Sequence, residues 1–217
     1  MRFRFSAPSP ILAPRARAAS RLYPLLLDRL IRGEVIFKSV IDVGACDWFY
    51  AEALAHFFPE ADLLGLELDG GRRYLNLFRR ADLGRARARA LVHAGRAAEY
   101  RHSDFLDLIS SDVPVGNGPL LFTFFFPFVS RDPCVAWGLP PKFADFSAMV
   151  LHACKIAGQL KREVWVLSIH QGEWEGSIAQ GVFNALGLAA RKEVILPEDF
   201  REFWPAAYPL EGFITRL

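Results

Sequence analysis

Short, continuously apolar runs alternate with helix-like stretches through most of this 217-residue chain. In this part the sequence predicts five strands, at Ser39–Val43, Asp62–Leu66, Glu99–His102, Leu120–Phe126 and Glu163–Ile169. It predicts helices at Asp47–Phe58, Gly71–Arg80, Arg85–His93, Phe143–Leu160 and Glu173–Leu186. Apolar strands that alternate with helices are typical of a parallel sheet that is covered on both faces and joined by right-handed crossovers.

The end of the chain breaks this alternation. Leu188–Leu196 and Glu211–Leu217 each have the composition of a strand, but the segment between them is short and rich in proline. Because proline removes a backbone donor and interrupts a helix, a regular crossover helix does not fit there. The two closing strands are therefore predicted to form an antiparallel hairpin at the edge of the sheet.

The start of the chain is basic. The first 27 residues contain five arginines and no acidic residue, a composition that a flexible basic arm shares with a transit peptide. Apolar residues at helical spacing follow in residues 21–32, and Gly33 stands where such a helix would end. We expect residues 1–35 to form a basic arm and a helix that could serve as a lid, and residues 36–217 to form the main domain.

Composition excludes several classes of protein. The net charge of +2 gives no reason to expect a strongly nucleic-acid-seeking protein. The three cysteines, Cys46, Cys134 and Cys154, form no Cys-x-x-Cys pair. Neither a metal site nor a disulfide framework is predicted from them, and a reducing cytoplasm fits best. The longest apolar run has about ten residues, whereas a membrane span needs roughly 20, so no membrane partner is expected.

Acidic residues stand at the ends of the first three predicted strands. Asp42 comes two residues before Gly44, Glu67 ends the second strand, and Asp104 with Phe105 follows the third. Parallel strands deliver their carboxyl ends to one crevice, and glycine lets a ligand approach the main chain. A carboxylate at Glu67 can accept two ribose hydroxyls, and an acid beside a phenylalanine suits an adenine ring. The pattern predicts a site for a small ligand that carries adenosine.

This arrangement resembles that of the class I S-adenosylmethionine-dependent methyltransferases, from about residue 36 to the end of the chain. The resemblance implies an α/β fold, a Rossmann-like three-layer sandwich with a seven-stranded, mostly parallel sheet and a C-terminal antiparallel strand. It implies S-adenosylmethionine as cofactor, and the residues that would bind it are Asp42, Gly44, Ala45, Glu67, Asp104 and Phe105. The first three would lie beside the methionine part, Glu67 would hold the ribose, and the last two would hold the adenine.

The loop after the first strand departs from that family. The family's loop is typically acid-x-Gly-x-Gly-x-Gly, but here Cys46 and Trp48 occupy the second and third glycine positions. We expect Trp48 to point into the core. Two interpretations stay open: a methyltransferase, and a non-catalytic protein that uses the same fold as an interaction module. A nicotinamide site is disfavoured because its G-x-G-x-x-G pattern is absent.

Two further loops are expected to contact the methyl acceptor. Pro127, Phe128 and Arg131 loosely match the loop of transfer-RNA guanine-N7 methyltransferases, without its acid, and are predicted to bind substrate. The aromatic residues there could instead belong to the core. After the fifth strand, His170 is the best-placed general base because its unperturbed pKa lies near physiological pH. The alternative is a strand-end histidine that is satisfied by a carbonyl.

The middle of the chain is rich in arginine. Residues 72–101 contain nine arginines and two acidic residues. This segment could form a phosphate-binding stripe for RNA, or simply a solvated helix face. The sequence therefore leaves the acceptor as a small molecule or RNA, and it does not give the oligomeric state.

Overall fold

A seven-stranded sheet forms the centre of the computed structural model, which describes residues 13–31, 33, 35–75, 77–114, 116–202 and 208–217. The strands are β1 Ser39–Val43, β2 Asp62–Glu67, β3 Ala98–His102, β4 Leu120–Phe125, β5 Val164–Gln171, β6 Arg191–Ile195 and β7 Leu210–Arg216. The helices are α1 Ala13–Ile31, α2 Ala51–Phe57, α3 Arg80–His93, α4 Arg131–Ala136, α5 Phe146–Gln159 and α6 Gly172–Ala185. The predicted α/β fold with a mostly parallel seven-stranded sheet is confirmed.

The strand order is β3-β2-β1-β4-β5-β7-β6, and β7 runs antiparallel to both of its neighbours. The predicted closing hairpin is therefore confirmed, with β7 inserted between β5 and β6. The order reverses direction between β1 and β4, which lie side by side and in register over the whole of β1. Such a reversal opens a crevice at the carboxyl ends of the strands.

Helices cover both faces of the sheet and produce two hydrophobic cores. Neighbouring residues of β4 alternate between them: Leu121 and Phe125 join the core under α1, α2 and α3, whereas Phe122 and Phe124 join the core under α5 and α6. Because successive side chains of a strand point to opposite faces, a strand buried on both sides must be apolar throughout. This explains the continuous apolar run that marked β4 in the sequence.

Several predicted helices differ from those of the structure; α1 and α3 begin earlier than predicted, at Ala13 and Arg80 rather than at residues 21 and 85. The helix predicted over Gly71–Arg80 is wrong, because residues 72–75 and 77–79 are not helical and one antiparallel bridge joins Arg73 to Arg79. The Asp82 carboxylate accepts a hydrogen bond from the Arg79 backbone N–H at 3.1 Å, which caps a helix that starts at Arg80 and not before it. Helix α2 begins at Ala51, four residues later than predicted, because the preceding loop has a left-handed backbone.

Helix α1 is part of the main core. Leu22, Leu26 and Leu30 are fully buried on its inner face, and α1 packs against α2 and β7. Gly212 of β7 leaves room for this contact, since a Cβ there would lie 2.6 Å from a methyl carbon of Leu30. The first twelve residues of the predicted basic arm lie outside the described residues. The domain boundary at residue 35 and the role of this segment as a lid stay predictions.

Within the part of the chain that the structure describes, no helix combines the length and the apolar character needed to cross a membrane. The same residues contain no group of three or more His, Cys, Asp or Glu side chains arranged to hold a metal ion. Among the described residues, Cys46, Cys134 and Cys154 form no disulfide bond.

Candidate functional site

A cavity of about 480 Å³ opens at the carboxyl edge of the sheet. Its volume lies within the range of roughly 300–1,000 Å³ that is usual for small-molecule sites. We call one part the glycine-loop half; it follows β1, β2 and β3 and includes Gly44, Cys46, Glu67, Arg80, Asp104 and Phe105. We call the other part the aromatic half; it is formed by residues that follow β4 and β5, together with Tyr50 from the end of the loop after β1. It includes Tyr50, Phe126, Phe128, Trp137, Asp145 and Glu175.

The loop after β1 keeps the backbone of a glycine loop without its glycines. Gly44, Cys46 and Trp48 all lie in the left-handed region, with φ of 78°, 56° and 55°. This conformation costs a residue with a side chain about 1–2 kcal/mol, so other contacts must hold it. Trp48 is fully buried, as predicted, and its indole lies where a Cβ on Gly65 would stand only 2.9 Å away.

Asp42 holds this loop from inside the protein. Its carboxylate accepts hydrogen bonds from Trp48 Nε1 at 2.9 Å and from Thr123 Oγ1 at 2.8 Å, and it also bonds the Tyr50 hydroxyl. Burial removes water from the charged form and raises the pKa of Asp42 to about 7, although these three donors oppose the shift. Its side chain is 1 % exposed and does not line the cavity. Asp42 therefore fixes the shape of the loop.

Asp42 and Ala45, which were predicted to contact the cofactor, are not among the residues that line the cavity. Ala45 is fully buried, and its backbone N–H donates to the Leu66 carbonyl at 2.9 Å. Of the three residues predicted beside the methionine part, Gly44 alone lines the cavity. Cys46, which was treated as a departure from the pattern, lines it as well.

Glu67 is the best-placed polar group of the glycine-loop half. Its Oε2 accepts from the Cys46 backbone N–H at 2.7 Å, and its Oε1 accepts from the Asp69 N–H at 2.6 Å. The Arg80 guanidinium lies 3.4 Å from the same Oε1. A carboxylate has about four acceptor positions, so Glu67 has room for one further donor, on Oε2. It can accept two ribose hydroxyls only if the long Arg80 contact gives way.

Arg80 is a site residue that the sequence did not single out. Its side chain is 8 % exposed, lines the cavity, and lies between Glu67 and Asp69, 3.5 Å from the latter. Because many arginines surround it in the sequence, Arg80 could not be distinguished from arginines on the surface. Its place at the first residue of α3, directly after the capped turn, is the signal that could have separated it from them.

Asp104 and Phe105 lie beside Glu67, as predicted. The backbone N–H of Ser103 donates to the Glu67 carbonyl at 3.1 Å, which ties the end of β3 to the end of β2. Asp104 Oδ1 accepts from the Leu106 N–H at 2.9 Å and so starts a short turn, while Phe105 packs edge-on against the ring of Phe124. The structure thus brings Gly44, Glu67, Asp104 and Phe105 to one cavity.

The loop after β4 contributes rings to the aromatic half. Pro127 and Phe128 line the cavity, whereas Arg131 is exposed at the start of α4 and does not. Phe126 has a left-handed backbone with φ of 57°, and its N–H donates to the Ile169 carbonyl at 2.9 Å. This conformation is rare for a bulky residue and places an unusual turn directly at the cavity.

His170 does not face the cavity. It is fully buried, its Nε2 lies 2.9 Å from Ser168 Oγ, and its ring packs between Phe146 and Phe213. Burial lowers the pKa of His170 to about 3, so the ring is neutral in the folded protein. The reason for the difference is that β5 extends to Gln171, which keeps His170 inside the sheet. This placement argues against a general base, and Glu175 of α6 lines the cavity instead.

The arginine-rich segment is only partly available to a partner. Several of its arginines are engaged within the chain: Arg72 with Asp69, Arg80 with Glu67, Arg87 with Asp47, Arg96 with the carbonyls of Ala55 and Phe58, and Arg101 with Glu99. The exposed ones are Arg73, Arg79, Arg85 and Arg89. RNA as a partner stays a prediction.

The sequence matches no protein-family model, and no curated protein is significantly similar to it. Its fold is similar to that of a SAM-dependent methyltransferase from Aquifex aeolicus (TM-score 0.50, 10 % identity, covering 91 % of this chain and 97 % of that one). It is similar to the METTL16 methyltransferase domain (TM-score 0.54, 9 % identity, 96 % and 69 % coverage). It is also similar to the human METTL16 catalytic domain in complex with a MAT2A 3′UTR hairpin (TM-score 0.53, 12 % identity, 96 % and 70 % coverage). The chain therefore has the fold of the class I S-adenosylmethionine-dependent methyltransferases.

Proposed function

We propose that this chain binds S-adenosylmethionine in the glycine-loop half and transfers its methyl group to an acceptor in the aromatic half. The observation that carries this proposal is Glu67, whose carboxylate ends β2, lines the cavity and binds the Cys46 N–H of the adjacent loop. The left-handed backbone at Gly44 and Cys46 supports it, because the loop keeps its shape despite the altered residues.

The residues of the glycine-loop half suit the cofactor. Glu67 Oε2 has an acceptor position for a ribose hydroxyl, and Asp104 has a carboxylate oxygen for the exocyclic amine of adenine. Phe105 supplies an apolar wall for the ring, and a Cβ on Gly44 would meet nothing within 4 Å, so the main chain is open there. When bound, the cofactor supplies a methyl group activated by a sulfonium.

The position of helix α1 supports the hypothesis that the N-terminal segment covers the acceptor pocket. Tyr23 of α1 lines the cavity and stacks on Tyr50, with ring centroids 3.9 Å apart. We propose that residues 1–35 shape the acceptor pocket in this way. We also propose a cytoplasmic location, because the three cysteines form no disulfide bond with one another.

Calorimetric titration of the whole chain with S-adenosylhomocysteine tests the proposal. We expect binding, and we expect Glu67→Gln to weaken it about tenfold to a hundredfold, because a hydrogen bond to a charged group contributes about 1.5–3 kcal/mol. Glu52→Gln, at an exposed position of α2, is the matched control and is expected to bind like the parent. Circular dichroism checks that both variants fold.

The rival interpretation is the non-catalytic interaction module. The three hydrogen-bond donors already present on Glu67 favour it, because they leave little acceptor capacity for a ligand. If neither S-adenosylmethionine nor S-adenosylhomocysteine binds at millimolar concentration, the enzyme proposal fails and the interaction module is the better account.

A further inference from the structure

The aromatic half combines rings with acidic side chains. Tyr50, Phe126, Phe128 and Trp137 line it together with the carboxylates of Asp145 and Glu175. Among the lining residues of this half that the structure describes, none is a lysine, arginine or histidine. Arg80 is the one arginine among the described residues of the whole lining; it belongs to the other half and is already paired with two carboxylates.

We propose that the aromatic half binds an organic cation, namely an amine in its protonated form on an apolar body, with the ammonium group on the Glu175 carboxylate. This inference rests on the proposed function, because it names the chemical class of the methyl acceptor. The bound ammonium group first gives a proton to the Glu175 carboxylate. The freed nitrogen lone pair then forms the bond to the methyl carbon as the bond from sulfur to that carbon breaks, and the neutral thioether leaves. It narrows the earlier choice between a small molecule and RNA to a small amine.

The rings suit such a ligand in two ways. Apolar surface covers the body of the ligand, as in most small-molecule sites. The faces of aromatic rings also attract cations, and this attraction grows when water is excluded. The ring of Trp137 already contacts a cation, since the Arg72 guanidinium carbon lies 5.8 Å from its centroid.

Glu175 has the free capacity that an ammonium group needs. It lies in the first turn of α6 and is half-buried, and its Oε2 accepts from the Gln171 backbone N–H at 2.8 Å. Its Oε1 accepts no hydrogen bond from the described residues, and Glu175 forms no ion pair with them. Burial raises the pKa of this carboxyl group, and a cation placed against it would oppose that shift.

Asp145 differs from Glu175 in its role. Its Oδ1 accepts from the Ala148 N–H at 2.8 Å and caps α5, and the residue is exposed at the rim of the cavity. We therefore assign Glu175 as the anchor and Asp145 as a second negative charge near the entrance. Neither of these two carboxylates forms an ion pair with the described residues, and this disfavours a phosphate-bearing or carboxylate-bearing ligand in this half.

The test compares three probes of similar shape by calorimetry on the full chain: 2-phenylethylammonium, 2-phenylethanol and 3-phenylpropionate. We expect the ammonium probe to bind at least about tenfold more tightly than the alcohol, and the carboxylate probe to bind most weakly. In Glu175→Gln the ammonium probe is expected to lose that advantage, while the amide oxygen can still accept from the Gln171 N–H. Glu173→Gln, on the same turn but exposed and outside the cavity, is the matched control and is expected to behave like the parent.

Equal binding of the ammonium probe and the alcohol, or no binding of either at millimolar concentration, would overturn the inference. A preference for the ammonium probe that survives in Glu175→Gln would overturn the assignment of the anchor. The comparison of probes on the parent chain needs no variant, so it decides the matter even if Glu175→Gln does not fold. Failure of S-adenosylhomocysteine to bind, with the ammonium preference intact, would remove the proposed function and leave the cation site standing.

Discussion

The two halves of the cavity are built in different ways. In the glycine-loop half, polar groups stand at the ends of adjacent parallel strands, and backbone hydrogen bonds such as that from Ser103 to Glu67 fix them. In the aromatic half, rings on longer loops form the walls, and the loop after β4 turns through a left-handed Phe126. The comparison shows that strand register determines where the polar groups of the glycine-loop half lie. In the aromatic half, the packing of individual loops determines where the rings lie.

Each half also depends on its own buried polar residue. Asp42 holds the glycine loop through Trp48 and Thr123, and it lies behind the cavity wall. His170 lies behind the aromatic half, where it joins β5 to Phe146 at the start of α5. Substitutions at these supports can therefore disturb one half and leave the other intact.

Trp48→Ala is expected to have the largest effect. Removal of a fully buried tryptophan costs about 3–5 kcal/mol of unfolding free energy, and here it also takes a donor from Asp42. Urea denaturation followed by circular dichroism measures it. Trp174→Ala, on a side chain that is 61 % exposed, is the control and is expected to stay within about 0.5 kcal/mol of the parent. A cost below about 1 kcal/mol for Trp48→Ala would contradict the view that the indole holds the loop.

The stability of the folded chain is expected to depend on pH through His170, the buried residue behind the aromatic half. The unfolded chain protonates His170 near pH 6.5, but the folded chain does so only near pH 3, because burial lowers the pKa of this ring. Between these values the unfolded state binds more protons, so stability is present above pH 6.5 and is lost as the pH falls. One pKa unit corresponds to 1.36 kcal/mol, which gives a loss of about 2 kcal/mol between pH 6.5 and pH 5.

His170→Gln removes this titration and keeps a polar partner for Ser168. We expect the variant to lose less stability than the parent over that interval, in urea titrations repeated at each pH. His56→Gln, at an exposed position of α2, is the control and is expected to keep the slope of the parent. Equal slopes for the parent and His170→Gln would show that the ring is not held in its neutral form.

Gly44→Ala is expected to have a moderate effect. A Cβ at this position meets no atom within 4 Å, so the cost comes only from the backbone, whose φ of 78° disfavours a side chain. We expect a loss of about 1–2 kcal/mol in unfolding free energy. Gly158→Ala in α5 is the matched control, because its Cβ is equally free but its backbone is helical, and there alanine should stabilise. A neutral Gly44→Ala would contradict a left-handed loop.

The sequence predicted the glycine-loop half well because its signals are local. The apolar run of β2 ends at Glu67, and the run of β3 ends just before Asp104, so each acid could be placed at a strand end from the pattern alone. The loop conformation at Cys46 and Trp48 could not be predicted, because the residues that normally reveal it are absent. It depends on tertiary contacts with Gly65 and Asp42.

The aromatic half was harder to predict, because the positions of its residues also depend on tertiary contacts rather than on local sequence signals. His170 was assigned to a loop because the apolar run stops at Ile169, but pairing with β7 carries β5 two residues further. Arg131 was assigned to the substrate loop, but a short helix turns it toward solvent. Pro127 and Phe128 line the cavity because they follow β4 directly, and their role in substrate binding stays a prediction.

Cys46→Gly is expected to have the smallest effect. It distinguishes the contribution of the backbone conformation at residue 46 from that of the thiol. Glycine relieves a φ of 56°, which is worth about 1–2 kcal/mol, but it also gives the unfolded chain more freedom, at a cost of about 0.5–1 kcal/mol. The net change in unfolding free energy should therefore lie between about 0 and 1.5 kcal/mol, on the stabilising side. The backbone N–H that donates to Glu67 is unchanged, so affinity for S-adenosylhomocysteine should be unchanged too.

The same substitution at Cys154, which lies within the helical backbone of α5, has no strain to relieve and is expected to destabilise the protein by about 1 kcal/mol. Urea denaturation of the pair therefore tests the backbone conformation at Cys46 directly. If Cys46→Gly loses as much stability as Cys154→Gly, the thiol itself contributes, and its contact with the Tyr74 hydroxyl at 3.8 Å is the interaction to examine. If Cys46→Gly gains stability, residue 46 has the left-handed backbone of a glycine loop, and only the residue type differs from the family's glycine.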